Sequence, residues 1–313
     1  MIRKTPKVSL IMPVYNAEKF LDESITSILD QSFDDFEFII IDDESKDKSW
    51  GMIKRYAKKD KRIVALKNEK NLGCVNTRNK GLRIARGKYI AVMDPDDVCL
   101  PKRFEIELDY LENHPDIFMV GGSVIVIDEE GKKLGIFLKY ENYNQVRKKL
   151  LKLDFIFHSS IMYRNTKEFF YREKFLTSDD YDFLLNVLSS GKKIIDLPEF
   201  LIKYRINQSS VTSTRTNQKF FFLKAKEFYK QRITTGKDNY EHLKSPNQII
   251  TVNPQRRKLE IIIIAEFQDN QMKKVRKDII KYIKNYGFYL PFVGYYILSF
   301  LPTKIYKLLR QKI

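Results

Sequence analysis

The chain has 313 residues, enough for one large domain and a smaller appendage. Its two cysteines, Cys74 and Cys99, lack CxxC spacing, which argues against a disulfide or zinc framework and favours a reducing compartment. Residues 1–210 carry 36 basic and 33 acidic side chains, whereas residues 211–313 carry 21 and 7. The excess positive charge therefore belongs to the last third, and we expect a near-neutral globule with an anion-seeking extension.

Apolar runs alternate with helical periodicity in the first hundred residues. Four runs predict buried strands, at 8–12, 36–41, 63–66 and 89–93. Between them, apolar residues at helical spacing predict helices over 20–29, 50–56 and 75–86, the last ended by Gly87. This alternation predicts right-handed βαβ units, and hence an α/β fold with a mostly parallel sheet and helices on both faces.

Three further elements follow. Residues 101–115 predict a helix with Pro101 at its start, and 117–135 predict a strand and a hairpin turn. Residues 179–188 predict an amphipathic helix with acidic residues at its N-terminal end, where backbone N–H groups favour negative charge.

Polar side chains follow three of the predicted strands. They are Tyr15 after the first, Asp42 and Asp43 after the second, and Asp94, Asp96 and Asp97 after the fourth. Because ligands of such sheets bind beyond the carboxyl ends of the strands, we expect these side chains to share one edge. Clustered carboxylates suit Mg²⁺ or Mn²⁺, and neither a GxxxxGK[ST] nor a GxGxxG motif is present. A ligand that the sequence still allows is a nucleotide diphosphate bound through a metal ion.

Three segments in this order and spacing carry a family resemblance. They are VSLIMPVYNAEKFLDESITSILDQSFDDFEFIIIDDES (8–45), NLGCVNTRNKGLRIARGKYIAVMDPDD (71–97) and TSDDYDFLLNVLSSG (177–191). Together they resemble the family-2 inverting glycosyltransferases of the GT-A fold over residues 6–210. The resemblance implies a nucleotide-sugar donor, most simply a UDP-sugar, a divalent metal, and a carboxylate base.

The resemblance also implies residue roles on the donor side. The segment PVYN supplies Pro13 and Tyr15, and Tyr15 is similar to the aromatic that stacks on the donor base, the alternative being an aromatic packed beside the first strand. Asp43 is similar to the acid that accepts a hydrogen bond from uracil N3–H, with Asp42 as its neighbour. A helix-capping role suits Ser45 better than Asp43.

The remaining donor and metal roles fall on two segments. Arg78 and Asn79 resemble the helix residues that reach the diphosphate and nucleoside, although a solvated basic helix face would also explain Arg78. Asp94 and Asp96 resemble the DxD pair that bridges ribose and metal. Asp97 would share the metal or orient its waters, and Asp96 is the expected direct ligand.

The base and the acceptor side are implied further along. Asp180 is similar to the catalytic base, and Asp179 stands where the family usually has Glu; otherwise Asp179 caps the helix. His158 and Arg205 fall where the family places acceptor-side or diphosphate-side residues, although a lone histidine is more often structural. Glu44 replaces the glycine that often follows the paired aspartates, so its side chain must fit a tight turn or point to solvent.

The C-terminal third carries a distinctive apolar segment. Residues 285–303 contain no formal charge, are rich in Tyr and Phe, and are flanked by cationic amphipathic sequence at 272–286 and 304–313. This arrangement favours a peripheral anchor on anionic lipid. A buried helical subdomain, an oligomer contact and a membrane span are the alternatives, while no nucleic-acid recognition motif accompanies the charge.

These observations predict a catalytic domain over residues 1–210 and a basic helical region over 211–313. The expected function is an inverting glycosyltransferase that uses a nucleotide-sugar and a glycan or lipid-linked acceptor, on the cytoplasmic face of the membrane. A sugar nucleotidyltransferase is a rival, but PVYNAEKF lacks the glycine-rich basic loop that it would need. A non-catalytic membrane- or glycan-binding module is the rival from another class.

Overall fold

The computed structural model describes residues 5–139, 142–152, 156–207, 217–244, 246 and 253–301. The strands are β1 Val8–Val14, β2 Phe36–Asp42, β3 Ile63–Lys67, β4 Tyr89–Val92, β5 Val98–Cys99, β6 Ile117–Ile127, β7 Lys133–Phe137, β8 Met162–Arg164 and β9 Lys193–Arg205. The helices are α1 Leu21–Leu29, α2 Ser49–Lys59, α3 Cys74–Ile84, α4 Arg103–Asn113, α5 Tyr143–Leu150, α6 Asp179–Ser189, α7 Gln218–Thr235, α8 Pro254–Gln268, α9 Met272–Tyr286 and α10 Leu290–Leu298. A 3-10 turn spans His158–Ser160.

The four predicted strands form the parallel part of the sheet. The strand order is β3-β2-β1-β4-β8-β6-β9-β5, and β7 pairs with β6. Strands β1 to β4 pair in parallel, as their helical crossovers require. From β4 onward the pairs β4–β8, β8–β6 and β6–β7 are antiparallel, so the sheet is mixed.

Gly87 was expected to end a helix, but its role is close packing. Helix α3 already ends at Ile84. A Cβ on Gly87 would lie 2.5 Å from the backbone nitrogen of Ser9 in β1, and the Gly87 N–H donates to Ser9 Oγ at 2.8 Å. Glycine is therefore required where the chain re-enters the sheet beside β1.

The chain divides into two compact units. The first unit comprises residues 1–123, 139–202 and 217–249, and the second comprises 124–138, 203–216 and 250–313. The core of the first unit lies between the parallel strands, α3 and α6, and includes Ile11, Ile41, Tyr171 and Leu184. The first unit holds the parallel strands and the segments that follow them.

In the second unit, helices α8, α9 and α10 share a small core. Its members are Leu259, Ile263, Phe267, Val275, Ile279, Tyr282 and Phe292. A Cβ on Gly135 of β7 would lie 2.4 Å from the Ala265 carbonyl carbon in α8, so the strand and helix backbones are nearly in contact.

Helices α9 and α10 form an antiparallel hairpin. The rings of Tyr282 and Phe292 meet edge to face at 4.9 Å, and Arg276 donates to the Ser299 carbonyl oxygen at 2.5 Å. Among the described residues, no helix combines the length and apolarity needed to cross a membrane. The predicted amphipathic sequence at 304–313 lies outside the described residues.

Candidate active site

Asp43, at the end of β2, is a buried acceptor that organises the start of α3. Its carboxylate accepts the N–H groups of Leu72 and Gly73, both at 2.9 Å, and the amide Nδ2 of Asn68 at 2.7 Å. Gly73 is the N-cap residue of α3, so Asp43 fixes the backbone immediately before the first turn of the helix. Capping was expected of Ser45 rather than Asp43, but it is Asp43 that holds α3, a helix distant from it in sequence.

The neighbouring Asp42 is wholly buried. Its Oδ2 accepts the Ser45 N–H at 3.2 Å and lies 3.8 Å from Lys67 Nζ. Its Oδ1 is buried and has no hydrogen-bond partner among the described residues. A buried carboxylate oxygen without a partner is costly unless a ligand or water satisfies it, so Asp42 is a candidate ligand contact.

Tyr15 and Pro13 lie at the end of β1. Pro13 is buried opposite Ile41 of β2, beyond the point where β1 and β4 stop pairing at Ile11. Tyr15 is 50% exposed, so about half of its surface is accessible to a ligand. The exposed ring remains available for stacking.

Three non-glycine residues with positive φ adjoin predicted site residues. Asn16 (φ 49°) directly follows Tyr15, and Glu44 (φ 66°) directly follows Asp43. Ser178 (φ 57°) directly precedes Asp179. Such conformations cost energy and concentrate at functional sites. At Glu44, the carboxylate accepts the Asn71 N–H at 3.0 Å, which explains how a side chain fits where the family often has glycine.

Arg78 is the central cation of the site. Its Nη1 donates to Asp179 Oδ2 at 3.0 Å and its Nη2 to Asp94 Oδ1 at 3.3 Å, while the guanidinium lies 4.8 Å from the Tyr171 ring centroid. Burial alone would lower the pKa of Arg78, but its acidic neighbours raise that pKa well above its ordinary value. Because the side chain is buried, a solvated basic helix face is excluded.

Asn79 and His158 both contact Tyr171, a residue that the sequence did not single out. Asn79 Nδ2 donates to the Tyr171 carbonyl oxygen at 2.8 Å, and the Tyr171 N–H donates to Asn79 Oδ1 at 2.9 Å. The Tyr171 hydroxyl lies 2.8 Å from His158 Nε2. Burial raises the pKa of Tyr171 well above its ordinary value, so this hydroxyl is neutral. Tyr171 thus joins α3 to the 3-10 turn.

The acidic turn follows β4. The Asp94 N–H donates to Ser159 Oγ at 3.1 Å, and the Asp97 N–H donates to the Asp94 carbonyl oxygen at 3.4 Å. The Asp94 side chain is 38% exposed, Asp96 is partly exposed and Asp97 is buried. Within the described ranges, no three His, Cys, Asp or Glu side chains gather closely enough to form a metal site by themselves.

Asp179 and Asp180 begin α6. Asp179 is buried against Arg78, whereas Asp180 is partly exposed and its Oδ1 accepts the Tyr181 N–H at 2.9 Å. One guanidinium therefore lies between Asp94 of the acidic turn and the residue before Asp180. Two sequence-distant acidic segments are brought together in this way.

Arg205 is not among these contacts. It lies in the second unit, where its Nη1 donates to the carbonyl oxygens of Asp128 and Glu129, each at 3.1 Å. Its guanidinium closes the turn between β6 and β7, which is a structural role in this unit.

The fold is that of the GT-A glycosyltransferases: a mixed sheet, an acidic turn after β4, and a helix, α6, that begins with two aspartates. The structure of S. aureus TarS 1–349 in complex with UDP superposes with a TM-score of 0.52 and 18% sequence identity, covering 90% of this chain and 89% of that one. At this identity the likeness establishes the fold alone.

Sequence comparison establishes the family: the chain belongs to glycosyl transferase family 2, whose model matches residues 9–169. An uncharacterized glycosyltransferase, MJ1057 of Methanocaldococcus jannaschii, is 43% identical over 223 residues, 69% of this chain and 77% of that protein. WfgD of Escherichia coli, a UDP-Glc:alpha-D-GlcNAc-diphosphoundecaprenol beta-1,3-glucosyltransferase, is 30% identical over 211 residues, 66% of this chain and 80% of WfgD. The protein is a glycosyltransferase.

Proposed function

We propose that the enzyme transfers a sugar from a UDP-sugar to an acceptor hydroxyl with inversion at the anomeric carbon. The carrying observation is Arg78, which bridges Asp94 of the acidic turn and Asp179 beside Asp180. Because Asp94 and Asp179 share one guanidinium, the proposal takes Asp94 as the donor-side acid and Asp180, next to Asp179, as the base. Tyr15 would stack on the uracil, and Asp42, with its unsatisfied oxygen, would contact the nucleoside.

In this mechanism Asp180 is the general base. Its carboxylate accepts the proton of the acceptor hydroxyl as the hydroxyl oxygen attacks the anomeric carbon. The new bond forms on the face opposite the diphosphate, and the electrons of the breaking bond leave with UDP. Arg78 holds Asp179, and so the start of α6, in place while this happens.

A divalent metal is part of the proposal. The carboxylates of Asp96 and Asp97 are hard oxygen ligands that suit Mg²⁺ or Mn²⁺, which commonly complete their coordination with substrate phosphates and water. The lack of a protein-only metal site among the described residues is compatible with such a shared shell. When bound, the cation would neutralise charge on the departing diphosphate.

The decisive experiment is a comparison of Asp180→Asn with wild type. Transfer from UDP-sugars in Mn²⁺ should fall by roughly a thousand-fold or more, since the base is removed, while calorimetry should give unchanged UDP affinity. Glu241→Asn is a matched control, because the Glu241 side chain is 85% exposed. If UDP affinity and transfer fall together in Asp180→Asn, Asp180 belongs to the donor site and the assignment fails.

For the acceptor, we propose a glycan or a lipid-linked glycan. The activity of WfgD, transfer of glucose to a diphosphoundecaprenol-linked sugar, supports the lipid-linked alternative. AmsE of Erwinia amylovora, an amylovoran biosynthesis glycosyltransferase 29% identical over 211 residues, supports a biosynthetic role for the proposed transfer.

We further propose that the α9–α10 hairpin docks on anionic membrane lipid. The face of α10 opposite Phe292 presents Leu290 (73% exposed) and Ile297 (62%), and Phe288 (72%) and Phe300 (62%) lie at its two ends. Large exposed apolar side chains in such a group mark an interaction surface.

The charges around this face favour lipid over a second copy of the chain. The outer side of α9 exposes five lysines, which are Lys273, Lys274, Lys277, Lys281 and Lys284. A symmetric dimer through this face would bring like charges together, whereas anionic headgroups would neutralise them. Apolar side chains beside lysines are the composition of helices that lie in the membrane interface.

A further inference from the structure

Arg103 is a wholly buried cation that the reaction does not use. It begins α4, and its Nε donates to Glu107 Oε2 at 3.1 Å, with both side chains fully buried. Removing two charges from water is expensive, and apolar replacements of such pairs are often equally stable or more stable. A contribution to the stability of the fold is therefore not a sufficient reason for a buried Arg103–Glu107 pair.

The other contacts of Arg103 point to its place in the fold. Its Nη2 donates to the carbonyl oxygens of Val92 at 3.2 Å and Ile161 at 3.1 Å. These carbonyls lie where the antiparallel pairing of β4 and β8 ends, one residue beyond the pair Ala91–Met162. The Val92 N–H also donates to the Ile161 carbonyl oxygen, but at 3.4 Å, so Arg103 Nη2 reinforces a long backbone hydrogen bond at the end of the β4–β8 pairing.

Each of these segments leads directly into the candidate site. Two residues after Val92 the chain reaches Asp94, and immediately before Ile161 lies the turn His158–Ser160. Asp94 and Ser159 are themselves joined by the Asp94 N–H to Ser159 Oγ bond. Arg103 therefore fixes, from inside the protein, the base of the two loops that this bond connects.

We propose that Arg103 is a positioning residue that holds the acidic turn, 94–97, in register with the His158–Ser160 turn. Its meaning for catalysis rests on the proposed donor-binding role of that turn. Supporting contacts behind metal-binding carboxylates typically change metal affinity or activity by about 10- to 100-fold when removed.

The test is the double variant Arg103→Met with Glu107→Leu, which removes both charges and leaves no unpaired one. We expect a folded protein whose melting temperature stays within about 5 °C of wild type, because the pair is replaced by apolar groups of similar volume. Hydrogen exchange in the peptide containing Asp94 and Asp97 should accelerate by about tenfold, since their N–H bonds depend on the fixed register. Affinity for UDP with Mn²⁺ should fall by about tenfold.

Arg164→Met is the matched control. Arg164 also donates to backbone carbonyls, those of Leu111 at 2.6 Å and Ile117 at 2.9 Å, but at the other end of β8. Arg103→Lys, which keeps the charge and loses the forked donor, should give an intermediate exchange rate if the double variant fails to fold.

Exchange at residues 94–97 that matches the Arg164→Met control in both Arg103 variants would overturn the proposal. The outcome for the proposed function is separate. If wild type binds UDP equally with and without Mn²⁺, the metal role fails, while the exchange rates still decide whether Arg103 positions the turn.

Discussion

The surroundings of two buried arginines in the first unit differ from those of the α9 lysines in the second. In the first unit, two buried arginines form ion pairs. Arg78 pairs with Asp94 and Asp179, and Arg103 pairs with Glu107. In the second unit, the lysines of α9 stay exposed beside exposed apolar side chains. Buried pairs fix geometry, whereas exposed like charges leave a surface that an anionic partner must complete.

The largest expected effect comes from breaking a buried pair. Arg78→Met leaves Asp179, only 6% exposed, without its cation, and should lower the free energy of unfolding by about 3–5 kcal/mol. Urea unfolding followed by the fluorescence of the single tryptophan, Trp50, measures the change.

The control breaks an exposed pair in the same unit. Arg55 and Asp22 are 55% and 58% exposed, so Arg55→Met should cost less than about 1 kcal/mol. Equal losses for Arg55→Met and Arg78→Met would remove the distinction between buried and exposed pairs.

The second prediction concerns the exposed charges of the second unit. Reversing Lys277, Lys281 and Lys284 to Glu should weaken binding to vesicles containing phosphatidylglycerol by roughly a hundred-fold or more, because each basic residue near an anionic surface contributes about 1 kcal/mol. Co-sedimentation measures binding, with pure phosphatidylcholine vesicles as the reference.

The apolar contribution is separable from the charge. Phe288→Ser with Leu290→Ser should lower vesicle binding by roughly tenfold or more, since their apolar area no longer leaves water. Leu223→Ser with Ile233→Ser, on the exposed side of α7 (53% and 52% exposed), should leave binding unchanged. Equal loss in both pairs, or binding by self-association in light scattering, would contradict docking on lipid.

The third prediction concerns a charged residue of the second unit that is buried, unlike the exposed lysines of α9. Glu266 in α8 is buried, and burial together with nearby Asp278 raises the pKa of Glu266 to about 7. The pKa of Glu266 is near 4.5 in the unfolded chain, so at pH values between 4.5 and about 7 the folded protein holds a proton that the unfolded chain has lost. Stability therefore falls as pH rises through this window.

Glu266→Gln should remove that dependence. The variant should be more stable than wild type at pH 8, on the order of 2 kcal/mol, and similar at pH 4.5, by urea unfolding at both pH values. A parallel loss of stability with pH in the variant would show that another group is responsible.

The smallest effect concerns backbone strain in the first unit. Ser178→Gly relieves a positive φ before α6 and should raise the free energy of unfolding by about 0.5 kcal/mol, because the gain is partly offset by the freedom of glycine in the unfolded chain. Ser178→Ala keeps the strain and should give no gain. A destabilised Ser178→Gly variant would mean that the Ser178 side chain matters more than its backbone.

The parallel half of the sheet was predictable because each strand is an apolar run that alternates with a helical pattern along the chain. Strand β8 was not, since it has three residues, Met162–Arg164, and exists through pairing with both β4 and β6. Short strands of this kind are defined by tertiary partners rather than by local periodicity.

The site divides in the same way. Carboxylates at the ends of apolar runs were visible in the sequence, and the contacts of Asp43 with α3 follow from the sheet edge. Tyr171 and Ser159 had no comparable signal, because their roles depend on Asn79 and Asp94, which are 92 and 65 positions away in the chain. Even Arg205, chosen by resemblance, is held by backbone carbonyls of the second unit.

The second unit is assembled from three separate stretches of chain, 124–138, 203–216 and 250–313. It is therefore interleaved with the first unit in sequence and has no single point at which it can be cut away or transplanted. Truncation after residue 271 would uncover Leu259, Ile263 and Phe267 of α8 and would confuse aggregation with loss of lipid binding. Chimeras meant to exchange this unit between relatives need to carry all three stretches together.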